Sequence, residues 1–132
     1  MFLHHYGFAT SDLNSSLKTY SLLGYTIVSD IAVDLLQDVK IIFIQKDDGP
    51  LIELIEPLST RSPVSHIIKK NGPCLYHTGY LVKDINNSIR ELRKEEFIMI
   101  SKLVAATAFD GKLICFLFHK NIGLIELIQE SL

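Results

Sequence analysis

Two imidazoles and two carboxylates draw attention in this sequence because each recurs in the same setting. LIELIEPL at 51–58 and LIELIQE at 124–130 both place an acid, Glu53 or Glu126, in the middle of an apolar run. A run of this composition reads as a strand with at least one buried face, and an unpaired carboxylate on such a face is costly. Both glutamates therefore need partners. His5 and His77 open two further apolar runs, HYGFAT and HTGYLV. Two imidazoles and two carboxylates suit a divalent cation of borderline to hard character, with positions left for water or substrate. Such a cation would neutralise both glutamates at once. One His or Glu in a strand is usually exposed or satisfied by an ordinary hydrogen bond, so the expectation rests on the joint recurrence of both residue types.

The elements that must position these four residues belong to an internal repeat. HYGFATSDLNSSLK at 5–18 aligns without a gap to HTGYLVKDINNSIR at 77–90, with identities at His5/His77, Gly7/Gly79, Asp12/Asp84, Asn14/Asn86 and Ser16/Ser88. IIFI at 41–44 then matches ICFL at 114–117, and Glu53 matches Glu126. The His-to-Glu spacing is one residue longer in the second copy, as a single loop insertion would leave it.

Each copy reads as strand, helix and three strands, an α+β pattern. In the first, a strand over 3–10 leads to the N-cap pair Ser11-Asp12, and Leu13, Leu17 and Tyr20 give a helical apolar face that Gly24 ends. Strands follow at 25–31 and 39–45, and Asp47-Asp48-Gly49-Pro50 turns into the fourth strand. The second copy repeats this as a strand over 74–82, a helix over 84–95, and strands at 97–101, 113–118 and 123–129. Between them, PLSTRSPVSHIIKKNGP holds a short helix that Ser62-Pro63 starts and Asn71-Gly72-Pro73 stops. The expected organisation is one domain over 1–132: module 1 at 1–56, a linker with its own helix at 57–73, and module 2 at 74–132. Side chains alternate along a strand, so Leu51, Glu53 and Ile55 share one side while Ile52, Leu54 and Glu56 share the other. Approximate twofold pairing of the copies would bring His5, Glu53, His77 and Glu126 to a common axis.

Other polar residues read as structural. His4 points away from His5 and reads as structural or exposed, while His66 on the linker helix and His119 after a strand are expected at the surface. Tyr76 lines a pocket or packs, and Lys69-Lys70 is a solvated helix end. Cys74 and Cys115 lack any metal-binding or redox spacing and read as reduced, packed thiols. No phosphate-binding Gly-rich loop or nucleophile elbow occurs.

Composition narrows the class further. The 132 residues are 48% hydrophobic and 21% charged, with 13 Lys and Arg against 15 Asp and Glu. These values fit a globular domain and give no basic footprint for nucleic acid. Apolar runs such as IIFI are too short to span a bilayer, and MFLHHYGF lacks the features of a secretion signal. A cytoplasmic protein is expected, with neither nucleic acid nor membrane as partner.

The segments HYGFAT, LIELIEPL, SPVSHIIKKNGP, LYHTGYLVKDI, GKLICFLFHK and GLIELIQ together resemble the vicinal oxygen chelate superfamily, which includes the glyoxalase, bleomycin resistance and dioxygenase proteins. ELIEPL with its following short helix resembles the methylmalonyl-CoA epimerase branch more than glyoxalase I. The resemblance implies two tandem βαβββ modules whose sheets form one open-barrel cup with helices outside. Carried over by position, the metal ligands fall on His5, Glu53, His77 and Glu126, and the metal is a divalent Co, Ni, Mn or Zn ion.

The implied activity is that of an isomerase or lyase that removes a proton next to a carbonyl through a metal-stabilised enediolate. Glu126 is then the first candidate base and Glu53 the second, and an acyl-CoA, other thioester or hemithioacetal is the substrate. Homodimers are common among such relatives. Two departures stand out. Epimerases of this branch carry a glutamate on the way into the third strand, where DLLQDV here has Leu36, with Asp34 nearby. The first-strand arginine of glutathione-dependent glyoxalase I, lactoylglutathione lyase, is absent from HYGFAT. That enzyme type is the alternative activity, and a non-catalytic antibiotic-binding protein of the same fold is the alternative class.

Overall fold

The computed structural model describes residues 1–131. Its ten strands and three α-helices fall into two compact units, one formed by His5–Tyr76 and the other by Met1–His4 with His77–Leu132. The linker helix therefore groups with the first copy of the repeat.

In the first copy of the repeat, β1 (Phe2–Ala9) runs into α1 (Leu13–Leu22) through Asp12, whose side chain accepts from the Asn14 and Ser15 N–H groups. These are the free donors of a helix start. Gly24 then takes a left-handed φ of 95°, which a residue with a Cβ adopts at a cost, and the chain turns into β2 (Thr26–Ile27). β3 (Ala32–Asp34), β4 (Val39–Gln45) and β5 (Leu51–Pro57) complete the copy, in the strand order β2-β4-β5-β1, with β3 also pairing β4. β5 is antiparallel to β4 and parallel to β1. α2 (Pro63–Asn71) follows with Ser62 as N-cap and Gly72 as its stop.

The second unit repeats the plan. β6 (Cys74–Val82) leads through the N-cap Asp84 into α3 (Ile85–Lys94). β7 (Ile98–Met99), β8 (Val104–Ala105), a 3-10 turn at Thr107–Phe109, β9 (Leu113–His119) and β10 (Gly123–Gln129) follow. The strand order is β6-β10-β9-β7, with β8 also on β9.

The periodicity of two decides where the core sits. Ile52 and Leu54 of β5 pack with Ile42, Ile44 and Leu13 beneath α1, while Ile125 and Leu127 of β10 pack with Cys115, Leu117, Ile85 and Ile89 beneath α3. Leu54 and Leu127 are fully buried, and each contributes roughly 2–3 kcal/mol by leaving water. The intervening residues, Glu53 and Glu126, necessarily point to the opposite face of their strands.

The second strand of each copy differs from expectation. Where the sequence predicts one strand over 25–31 and another over 97–101, only Thr26–Ile27 and Ile98–Met99 form there, and a second short piece follows beyond each range, at Ala32–Asp34 and Val104–Ala105. The cause is a serine in each copy. Ser29 Oγ accepts the Phe43 N–H at 2.8 Å, and Ser101 Oγ accepts the Phe116 N–H at 2.9 Å. Each serine replaces a ladder carbonyl, so the strand bends away without leaving a buried donor unsatisfied.

Candidate metal centre

Each unit carries one His–Glu pair, and the two pairs are built alike. In the first unit, His5 lies on β1 and Glu53 on the parallel neighbour β5. Glu53 stands opposite Gly7, two residues beyond His5 on the same face. With only a hydrogen at Gly7, the Glu53 side chain has space to lean back toward the imidazole, and His5 Nε2 lies 3.4 Å from Glu53 Oε1. In the second unit, Glu126 stands opposite Gly79 in the same way, and His77 Nε2 lies 3.6 Å from Glu126 Oε1. The Gly7/Gly79 identity of the repeat thus has a steric reason.

A phenylalanine closes each pair from the antiparallel side. Phe43 is the β4 partner of Glu53 and meets the His5 ring edge-on at 5.8 Å, and Phe116 is the β9 partner of Glu126 and meets His77 at 5.3 Å. Edge-to-face contact of this kind fixes ring orientation. Exposure is 0% for His5, 4% for His77 and 2% for each glutamate. These are levels that isolated carboxylates do not tolerate.

The donor set fits a divalent cation. The 3.4 and 3.6 Å separations are longer than a good N–H···O bond. They lie at the upper end of the roughly 2.8–3.6 Å that separates two ligands on one first-row ion with bonds near 2.0–2.2 Å. Buried imidazole nitrogen and carboxylate oxygen are also the ligand types such ions prefer.

The remaining candidates are placed less centrally. His4 packs edge-on against Phe109 at 5.5 Å, and His66 is exposed on α2. His119, expected at the surface, is half-buried against Phe97 at 4.8 Å, and its Nδ1 accepts the Asn121 N–H. Cys115 is fully buried, and burial followed by the nearby Glu126 charge pushes its thiol up to about 12. Leu36 is 80% exposed on the hairpin between β3 and β4. Asp34 is buried at the base of that hairpin, where its two carboxylate oxygens accept from the Gln37 N–H at 3.1 Å and from Gln37 Nε2 at 2.7 Å. It therefore anchors the turn.

Sequence reasoning did not single out Phe43, Phe116, Ser29 and Ser101. The IIFI/ICFL match contained the phenylalanines, but their role depends on strand register.

Comparisons with known proteins agree with this architecture. The chain is 28% identical to the uncharacterized protein YqjC of Bacillus subtilis (strain 168) over 132 residues, covering 98% of this chain and 92% of that one. It is 28% identical over 131 residues to the mitochondrial methylmalonyl-CoA epimerase of Dictyostelium discoideum, covering 97% and 78%. Among solved structures, a variant of the Streptomyces coelicolor methylmalonyl-CoA epimerase in complex with 2-nitronate-propionyl-CoA superposes with a TM-score of 0.87 at 21% identity, covering 100% of this chain and 99% of the other. At that identity the superposition speaks for the fold: mixed α+β, as the repeat implied. With a family model matching residues 4–116, the chain belongs to the Glyoxalase/Bleomycin resistance protein/Dioxygenase superfamily.

Proposed function

We propose that His5, Glu53, His77 and Glu126 are the ligands of one divalent metal ion, and that the chain is an isomerase or lyase that moves a proton on a carbon next to a carbonyl. The reading most like the relatives is epimerisation of an acyl-CoA thioester of the methylmalonyl-CoA type. The observation that carries it is the repetition of a buried His–Glu pair, each with an opposed glycine and an edge-on phenylalanine, at equivalent positions of two modules. A single buried pair would be an ordinary structural ion pair. Two matched ones, repeated at equivalent positions of the two copies, support reading them as a ligand set.

His5, Glu53, His77 and Glu126 would hold Co, Ni, Mn or Zn, which would supply Lewis acidity toward a substrate oxygen. The chain supplies the rest. Glu126 takes the proton from carbon and returns it, with Glu53 as the second candidate. Burial keeps water from competing for the proton, and the phenylalanines hold both imidazoles in orientation. Charge develops on the substrate oxygen only as the proton leaves, so fixed groups aimed there stabilise the transition state more than the ground state.

A lactoylglutathione lyase-type activity is the second reading, favoured by one observation. Inversion at carbon calls for acid/base groups on both faces of a planar intermediate, while Leu36 is apolar and Asp34 is tied to Gln37. A hemithioacetal isomerisation can proceed with the metal-site glutamates alone.

Elemental analysis after reconstitution with each of the four metals tests the shared premise. About one ion per chain is expected, and loading that stays negligible with all four removes both enzyme readings and leaves a binding protein. Deuterium wash-in at C2 of methylmalonyl-CoA, run beside turnover of the methylglyoxal–glutathione hemithioacetal, separates the two activities. Glu126→Gln is expected to retain metal while losing proton exchange by about 10²–10⁴-fold. Unchanged exchange would place the base elsewhere.

A further inference from the structure

We propose that Glu56 and Gln129 are positioning residues, each locking the strand that carries a candidate ligand glutamate to the strand that carries its histidine. The proposal rests on the ligand reading above and concerns how the geometry of each pair is held.

Each residue lies three positions after the ligand glutamate, on the helix-facing side of its strand. Glu56 Oε1 accepts the Leu13 N–H at 2.7 Å across 43 residues of sequence, and Gln129 Oε1 accepts the Ile85 N–H at 2.9 Å across 44. Both donors are the first residue of a helix, immediately after the strand that bears His5 or His77. The N-cap aspartates serve other donors: Asp12 takes the Asn14 and Ser15 N–H groups, and Asp84 takes that of Asn87. The long-range bond is therefore an addition to ordinary capping.

Its value follows from topology. β1 and β5, like β6 and β10, are parallel and distant in sequence, so no hairpin turn fixes their register. A slip of one residue would turn Glu53 to the other face, and a slip of two would carry it about 7 Å from His5. A side-chain bond at the end of the ladder resists both. Second bonds hold the clamps in place: Glu56 Oε2 pairs with Lys40 Nζ at 3.2 Å, and Gln129 Nε2 donates to the Lys83 carbonyl at 2.6 Å. The same geometry built from a carboxylate in one copy and a carboxamide in the other shows that the accepting oxygen, and not the charge, is the shared feature.

The test compares Glu56→Ala, Glu56→Gln and the capping control Asp12→Ala in the full chain. Glu56→Ala is expected to weaken Co(II) binding by about 10-fold and to change its visible spectrum, as loss of a ligand-orienting group does. Glu56→Gln should restore both, and Asp12→Ala should leave both unchanged, although it frays the same helix. In metal-free protein, the imidazole ¹⁵N–¹H resonance of His5 should shift in Glu56→Ala and return in Glu56→Gln. If wild-type protein fails to bind Co(II), the ligand reading fails and the His5 resonance still decides the clamp. An unmoved resonance in Glu56→Ala, or equal effects from Asp12→Ala, would overturn the proposal.

Discussion

At the scale of single residues, the opposed glycines explain why a bulky carboxylate can sit beside an imidazole within a sheet. The His/Glu recurrence was legible in sequence, because duplicated chemistry leaves duplicated letters. The glycines were visible as identities, but their purpose was not, since it depends on Gly7 facing Glu53 and Gly79 facing Glu126 across parallel ladders. Cys115 shows the same limit: sequence marks it as a packed thiol, and only the fold places it close enough to Glu126 to feel that charge. Its thiol, raised from 9.0 to about 12, favours the neutral form in the folded chain. The associated stabilisation is full below pH 9 and is lost as pH rises through about 12. Native protein at pH 8 should therefore take one iodoacetamide adduct, at the half-buried Cys74, and a second only in denaturant. Mass spectrometry of intact and digested protein reads this, and modification of Cys115 in native protein would contradict its burial.

Helices were the most legible elements because their signals are local. Asp12, Asp84 and Ser62-Pro63 marked their starts, and each was found as an N-cap or first-turn residue. The broken second strands were not legible, because Ser29 and Ser101 act only when a distant Phe N–H reaches them. Asp12 also carries a pH signature. Its carboxyl is held below the ordinary value of 3.8 chiefly by the Ser15 hydroxyl and also by the Ser15 N–H. A depressed folded value means that the cap's contribution is present above pH 3.8 and is lost as pH falls through the folded value. Hydrogen exchange at Ser15 should accelerate over that acid range, relative to neutral extrapolation, in wild type. In Asp12→Asn, whose amide oxygen caps without titrating, the extra acceleration should be absent.

For the whole molecule, 13 Lys and Arg against 15 Asp and Glu give no basic footprint, and no helix among the described residues is long and apolar enough to cross a membrane. The proposed ion would also link the ligands to stability. Metal that binds only the folded chain adds about 2.7 kcal/mol at a free concentration 100 times its Kd, which in a chain of this size raises Tm by roughly 10 °C. Scanning calorimetry with chelator and after re-addition of Co(II) should show that shift and its reversal, and Glu53→Ala should abolish it. What the sequence determined by itself was the duplicated α+β plan, the helix ends and the residue types of the two buried His–Glu pairs, because periodicity, capping and repetition act within short stretches of chain. Only the tertiary structure decided which residue faces which across each parallel ladder, and with it the glycine and phenylalanine surroundings of each pair. It also decided the tying of Asp34 to its turn and the bonds from Glu56 and Gln129 to the helix starts. Strands joined through distant chain have no local code for register. Their alignment is fixed by the packing of whole faces and by side-chain bonds that span more than forty residues of sequence.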